Sequence, residues 1–271
     1  MSHRTFTAEE IRIGTSGWSY GHWRGRFYPP ALPARQWLAY YQKRFPTVEL
    51  NASFYRRIRP GTWSRWRQQS PAGFLWAVKA HREITHQTRL QRRTPLQRFL
   101  QSVAALGDRL GVILFQLPPS LPFDARVVKR FLGWLPPGLR YAVEPRHRSW
   151  FAKRPLALLR RQGIALCMAD CGERFPSARV VTADFLYVRF HGREQLYRSR
   201  YTPAQLAVWA RRLVRWKKPA FVYFNNDFHG HAIANARTLR QQVRRLLRAA
   251  ADEPRRTRAK RKRPRKVRRV R

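Results

Sequence analysis

Eight short apolar, β-branched or aromatic runs each end abruptly in polar residues, and this repeat constrains the fold more than any other feature. The endings are Ile11-Arg-Ile-Gly-Thr-Ser16, Val48-Glu-Leu-Asn51, Leu75-Trp-Ala-Val-Lys79, Val112-Ile-Leu-Phe-Gln116, Tyr141-Ala-Val-Glu144, Ala165-Leu-Cys-Met-Ala-Asp170, Leu186-Tyr-Val-Arg-Phe-His191 and Phe221-Val-Tyr-Phe-Asn-Asn226. Stretches with helical spacing separate most of them. Eight βα units of this kind predict a single α/β barrel of the (β/α)8 TIM type, whose chemistry gathers at the C-terminal ends of the strands. The near-continuous apolar runs suit strands buried on both faces. An open doubly wound sheet is the competing architecture. The chain carries neither Gly-x-Gly-x-x-Gly nor a Gly-rich phosphate loop ending in Lys-Ser or Lys-Thr to support it.

The length of 271 residues suits one such barrel, since these run to roughly 250 residues. We place a barrel domain at 1–252 and a disordered Arg/Lys-rich tail at 253–271. The net charge is +43, and 12 of the 17 residues in 255–271 are Arg or Lys with no acid among them. So dense a run of charge stays solvated, and it points to contact with nucleic acid or another polyanion. The body is strongly basic too. Arg makes up 48 of the 57 basic residues, a bias that GC-rich coding would also produce. No apolar run approaches the ~18–20 residues of a membrane span. The N-terminus lacks the apolar stretch of a secretory signal, and Cys167 and Cys171 make no disulfide framework. A cytoplasmic location is expected.

The helical stretches carry their own punctuation. Thr94 suits an N-cap with Pro95 at the first helical position, and Leu96, Phe99, Leu100, Val103, Leu106 and Leu110 mark one face up to a stop at Gly111. The last helix is expected over about His231–Ala250, ending before Pro254. Only about fifteen residues separate Asp170 from Phe185, and Pro176 interrupts them. The barrel is therefore expected to be irregular around its sixth helix.

Acidic residues are scarce, 14 in all, yet Glu49, Glu144, Asp170 and Asp227 stand at or just past strand ends. Lys79, Arg146, His147, Arg189 and His191 stand at the same level. Carboxylates and cations confined in one cleft shift each other's proton affinities and make candidates for acid–base work. Glu144 and His191 are expected to transfer protons, with Glu49 and Asp170 orienting them. Lys79, Arg146, His147 and Arg189 are expected to hold a small polar or anionic ligand. Asn51, Gln116 and Asn226 are amides able to orient it, and Tyr20, Trp23, Tyr55 and His86 crowd the same mouth. Two other readings compete: a divalent-metal site built from Glu49, Glu144, Asp170 and His191, and charge pairs that merely close the barrel mouth. The reaction class open to such a site is hydrolase, lyase or isomerase. The alternative function is a nucleic-acid-binding or nucleic-acid-processing protein tethered by its basic tail.

These segments also resemble the YecE-like family, an uncharacterised bacterial and archaeal group. The matching residues are Gly14-Thr-Ser-Gly-Trp-Ser-Tyr20 with Trp23 and Phe27-Tyr-Pro29, Glu49-Leu-Asn-Ala-Ser-Phe-Tyr55, Lys79, and Ile84-Thr-His86. They continue with Leu114-Phe-Gln-Leu-Pro-Pro119, Ala142-Val-Glu-Pro-Arg-His-Arg-Ser-Trp150, Tyr187-Val-Arg-Phe-His-Gly192 and Tyr223-Phe-Asn-Asn226. The resemblance implies a TIM-barrel-like fold over about residues 11–240 and carries no reaction with it. The basic tail falls outside the pattern.

Overall fold

The structure, a computed structural model, describes residues 6–261. Eight parallel strands form a nearly closed barrel with helices between them. The strands are β1 (Ile11–Thr15), β2 (Thr47–Leu50), β3 (Leu75–Lys79), β4 (Leu110–Gln116), β5 (Tyr141–Glu144), β6 (Ala165–Asp170), β7 (Leu186–Phe190) and β8 (Ala220–Phe224). The helices are α1 (Trp37–Gln42), α2 (Ala52–Tyr55), α3 (Pro60–Gln69), α4 (Arg93–Val103), α5 (Ala125–Leu132), α6 (Lys153–Arg161), α7 (Pro203–Trp216) and α8 (His231–Arg261). The hydrogen-bonded order β1-β8-β7-β6-β5-β4-β3-β2 leaves β1 and β2 as the seam. There the backbone N–H of Gly17 donates to the Glu49 carbonyl at 2.8 Å. Lower in the seam the hydroxyl of Tyr41 substitutes for a ladder: it accepts from the Thr15 N–H at 3.0 Å and donates to the Thr47 carbonyl at 3.0 Å. Gly14 makes the close approach possible, because a Cβ there would lie 2.2 Å from the Thr47 carbonyl oxygen.

Two apolar clusters follow from strand alternation. Ala77, Val112, Leu114, Ala142, Ala165, Cys167, Tyr187, Phe221 and Tyr223 fill the barrel interior. Their neighbours in sequence, such as Val48, Trp76, Val78, Ile113, Phe115, Val143, Met168, Val188, Phe190 and Phe224, face outward into the layer packed by the helices. Parity along each strand therefore decides whether a side chain meets the mouth or the helices.

Three expectations are corrected. Leu110 and Gly111 belong to β4, and α4 gives way at Ala104 to a tight turn with a kink at Gly107. Gly111 sits in the strand because Phe221, Leu75 and Trp76 press on the space a Cβ would occupy. Thr94 is not the cap of α4: the N-cap is Arg92, whose side chain makes no capping hydrogen bond. Helix α8 passes Pro254 and runs to Arg261; the proline costs the helix one backbone hydrogen bond but does not end it. The expected tail thus begins as helix, and its remainder, 262–271, lies outside the described residues. The expected irregularity is present: no helix lies between β6 and β7.

Candidate active site at the barrel mouth

The uppermost inward positions of β2, β5 and β7 are Glu49, Glu144 and Arg189, and His191 follows just past β7 with the same parity; all four are fully buried. Arg189 lies between the two carboxylates. Its Nε and Nη2 donate to Glu49 Oε1 at 3.1 and 2.7 Å, and its Nη1 donates to Glu144 Oε2. Glu49 also accepts from Ser16 Oγ at 2.6 Å and from the Tyr187 hydroxyl at 2.6 Å. Charges removed from water persist only when paired and hydrogen-bonded, and here each carboxylate oxygen has a donor. Burial alone would raise the Glu144 carboxyl. The Arg189 guanidinium, His191 and Arg146 outweigh that and hold it well below the usual carboxylate range.

His191 extends the chain toward solvent. Its Nε2 lies 3.2 Å from Glu144 Oε1 and its Nδ1 3.2 Å from the Asn225 amide nitrogen. The Asn225 N–H makes Nδ1 the acceptor, so the Nε2–H faces the carboxylate. Burial lowers the imidazole's pKa against the pull of Glu144. Asn51 donates to Asn225 Oδ1 at 3.5 Å, which links β2, β7 and β8 across the opening.

Above this matched set sits a rim of less satisfied groups. The Lys79 ammonium lies 3.8 Å over the Phe54 ring and makes no ion pair with a carboxylate among the described residues. Burial, then the nearby Arg189 charge, lower its pKa to about 7, against the smaller pull of Glu144 and Glu49. Arg146 reaches Glu144 Oε1 and the Tyr197 hydroxyl at 3.4 Å each and lies over Phe175. Its Nε and the Asn51 Oδ1 are buried and have no hydrogen-bond partner among the described residues. His86 packs edge-on against Phe54. Burial, with Lys79 and Arg146 beside it, drives its pKa to about 4.

The pattern of the family described as a protein of unknown function, DUF72, matches residues 12–260. The chain is a DUF72 protein. It is 28% identical to the UPF0759 protein YunF of Bacillus subtilis over 84% of this chain and 93% of that protein. It is 27% identical to the UPF0759 protein YecE of Escherichia coli over 88% and 94%. Its fold is that of a crystallised DUF72 protein from Thermotoga maritima, with a TM-score of 0.77 and 28% identity over 88% of this chain and 99% of that one. A DUF72 protein from Enterococcus faecalis shares the fold at a TM-score of 0.76 and 21% identity, over 86% of this chain and 95% of that one. The YecE-like resemblance and the TIM-barrel-like fold are therefore established. No activity comes with them.

Several expected site residues of this DUF72 protein lie elsewhere. Asp170 has the outward parity of Met168, and its Oδ2 accepts from Trp209 Nε1 on α7 at 2.8 Å; it does not join Glu49 and Glu144. Asn226 also faces outward and bonds Asn235 at 2.9 Å, while its neighbour Asn225 takes the inward position. His147 caps the turn Arg148–Phe151 by accepting from the Ser149 N–H. Gln116 is buried beside Glu144 in register and donates to its own neighbour's carbonyl, Leu117. Trp23 is wholly buried and donates to Asp227, and Tyr55 is 66% exposed on the outer rim. Tyr20 donates to the Ser16 carbonyl at 2.6 Å and so supports the Glu49 end of the network. The metal reading does not fit these donors. Asp170 is absent from the set, Arg189 fills the space between the two glutamates, and no group of three metal-binding side chains converges among the described residues. No described helix is long and apolar enough to cross a membrane.

Proposed function

We propose that this protein is an enzyme performing acid–base chemistry on a small anionic ligand at the barrel mouth. The observation that carries this reading is the contrast between a saturated, buried Glu49–Arg189–Glu144–His191 network and the incompletely bonded Lys79, Arg146 and Asn51 above it. Glu144, held ionised and fully bonded, makes a poor proton carrier; in this reading it and Glu49 orient Arg189 and His191. Lys79 takes the proton-transfer role, because a group titrating near the working pH is both available as a base and effective as an acid. Arg146 offers its free Nε–H to the ligand's charge, and Asn51 Oδ1 accepts a ligand hydroxyl or amide hydrogen.

The test is a ligand-detected proton NMR screen of small carboxylates and phosphate esters against the full chain, repeated with Arg146→Ala and Lys79→Met. Support is a bound compound that Arg146→Ala releases and whose conversion requires Lys79 and accelerates as pH rises through about 7. Conversion that Lys79→Met leaves intact would refute the assignment. A second reading, electrostatic attachment to nucleic acid, is favoured by the +43 charge and the twelve basic residues of 255–271. It predicts that deleting 262–271 flattens the dependence of DNA affinity on salt, by about 0.9 in log–log slope for each phosphate contact removed.

A further inference from the structure

Apart from the mouth, one cleft gathers cations with no carboxylate among its lining residues. It has a volume of about 480 Å3 and lies between the loop after β1, the segment after β7 and the start of α8. Arg26, Arg200 and Arg237, one from each of these elements, line it together with His229, His231, Trp23 and Phe27. We propose that this cleft binds the terminal phosphoryl group of a small phosphate ester.

The three arginines are exposed to solvent, and their charges have no carboxylate partner among the described residues. Arg26 Nη1 donates to the His229 carbonyl at 2.7 Å, which anchors the β1 loop to the turn before α8. The Arg237 guanidinium lies 5.3 Å from the centre of the Phe27 ring. Asp227, the carboxylate of the same turn, is already engaged by Trp23 Nε1 at 2.7 Å and by His22 Nε2 at 3.2 Å. Burial and then the charges of Arg200, His229 and Arg26 lower the His231 pKa, with no acid opposing them. Such mutual repulsion among cations is relieved by a bound dianion. A phosphate monoester presents three terminal oxygens and two negative charges to the guanidinium groups that line this cleft, a group type that pairs with phosphate through paired N–H donors. The cleft is also built from the loops after the seventh and eighth strands, where barrels of this type hold phosphates. The concave shape and aromatic walls favour an ester's end group over the middle of a nucleic-acid strand.

The experiment measures the affinity of the full chain for inorganic phosphate and for glycerol 1-phosphate by calorimetry at about 0.15 M salt, an ionic strength that screens surface charge beyond a Debye length. It compares wild type with Arg200→Ala, Arg237→Ala and Arg161→Ala, the last an exposed cation on α6. Both cleft variants are expected to weaken binding tenfold or more, and Arg161→Ala to leave it unchanged. The imidazole proton signals of His229 and His231 are expected to shift on phosphate addition in wild type, a reading that stands even if a variant folds poorly. Equal affinity in all four proteins with unmoved imidazole signals would overturn the proposal. So would a short oligonucleotide without terminal phosphates losing as much affinity from Arg200→Ala as the monoester does, because that outcome assigns the cleft to general polyanion attraction. Neither arm involves Lys79 or Arg146, so its outcome is separate from that of the acid–base reading.

Discussion

Replacing Arg189 by methionine removes the one cation that separates two buried carboxylates while keeping most of the side chain's volume. Arg189 supplies two hydrogen bonds to Glu49 and one to Glu144. Removing one partner of a buried ion pair costs about 3–5 kcal/mol, because a charge is left without compensation. Here Glu49 keeps Ser16 and Tyr187, and Glu144 keeps His191 and Arg146. The lower half of that range, about 3–4 kcal/mol, is therefore expected. For a total stability of about 5–15 kcal/mol this is a large fraction, and it moves a urea midpoint by about 1 M or more.

The pH dependence distinguishes lost charge compensation from lost packing. In the wild type the folded-state pKa of Glu144 is depressed, so its contribution to stability is present at neutral pH and fades as pH falls through that value. In Arg189→Met burial dominates and the pKa rises above the unfolded value. The penalty is then full at pH 7 and fades on acidification. The gap between the two proteins should therefore narrow between pH 7.5 and pH 5 in urea titrations. Adding Glu49→Gln and Glu144→Gln to Arg189→Met should recover at least half the loss at pH 7.5. A loss under about 1 kcal/mol, or one that is equal at both pH values and unrelieved by the glutamine pair, would refute the compensation argument.

Lys79 makes the opposite prediction in pH. Its folded pKa of about 7 lies below the unfolded value, so the wild type is penalised below pH 7 and gains stability as pH rises toward 10. Relative to Lys79→Met the gain should be on the order of 2–4 kcal/mol, and parallel urea titrations at pH 6 and 9.5 that show no convergence would exclude it. Gly14→Ala pushes a methyl against the Thr47 carbonyl at the seam. It should destabilise by about 3 kcal/mol or more, beyond the usual cost of overpacking, whereas Gly61→Ala, where the space is open, should leave the melting temperature within a few degrees. Asp170→Ala strands the indole N–H of Trp209 and should cost about 1–3 kcal/mol in stability. In the acid–base reading it leaves turnover unchanged once the protein is folded, which a melting curve and an assay on any converted compound can separate.

Much of the site was legible before any coordinates. The abrupt polar endings place Glu49, Lys79, Glu144, Arg189 and His191 at one rim, because parallel strands in a barrel end at one face. Parity was legible too, though it is easily overlooked. In β6 the interior positions are Ala165, Cys167 and Ala169, so Asp170 has to point at the helices. In β8 they are Phe221, Tyr223 and Asn225, so Asn226 is excluded from the mouth. Counting by twos from each apolar run separates Asn225 from Asn226 without a structure. The roles of Ser16 and Tyr187 as donors to Glu49 carry no local signal, since they depend on which strands become neighbours across the barrel. The same holds for Trp209, whose bond to Asp170 joins residues 39 apart.

The sequence by itself determined the alternation of strand and helix, the irregularity between β6 and β7, the excess of positive charge and the set of polar residues delivered to the C-terminal rim. Each follows from local periodicity, from punctuation by proline and glycine, or from counting. Only the tertiary structure decided which of those polar residues neutralise one another. Closure of β1 onto β2 through Gly14 and Tyr41 brings Glu49 within reach of Arg189. That one cation then bonds both glutamates, leaving Arg146 a single long contact of 3.4 Å to Glu144 and the Lys79 ammonium over the Phe54 ring. Proton affinity and charge balance depend on distance and burial across the whole barrel, and no stretch of chain short enough to read locally contains them.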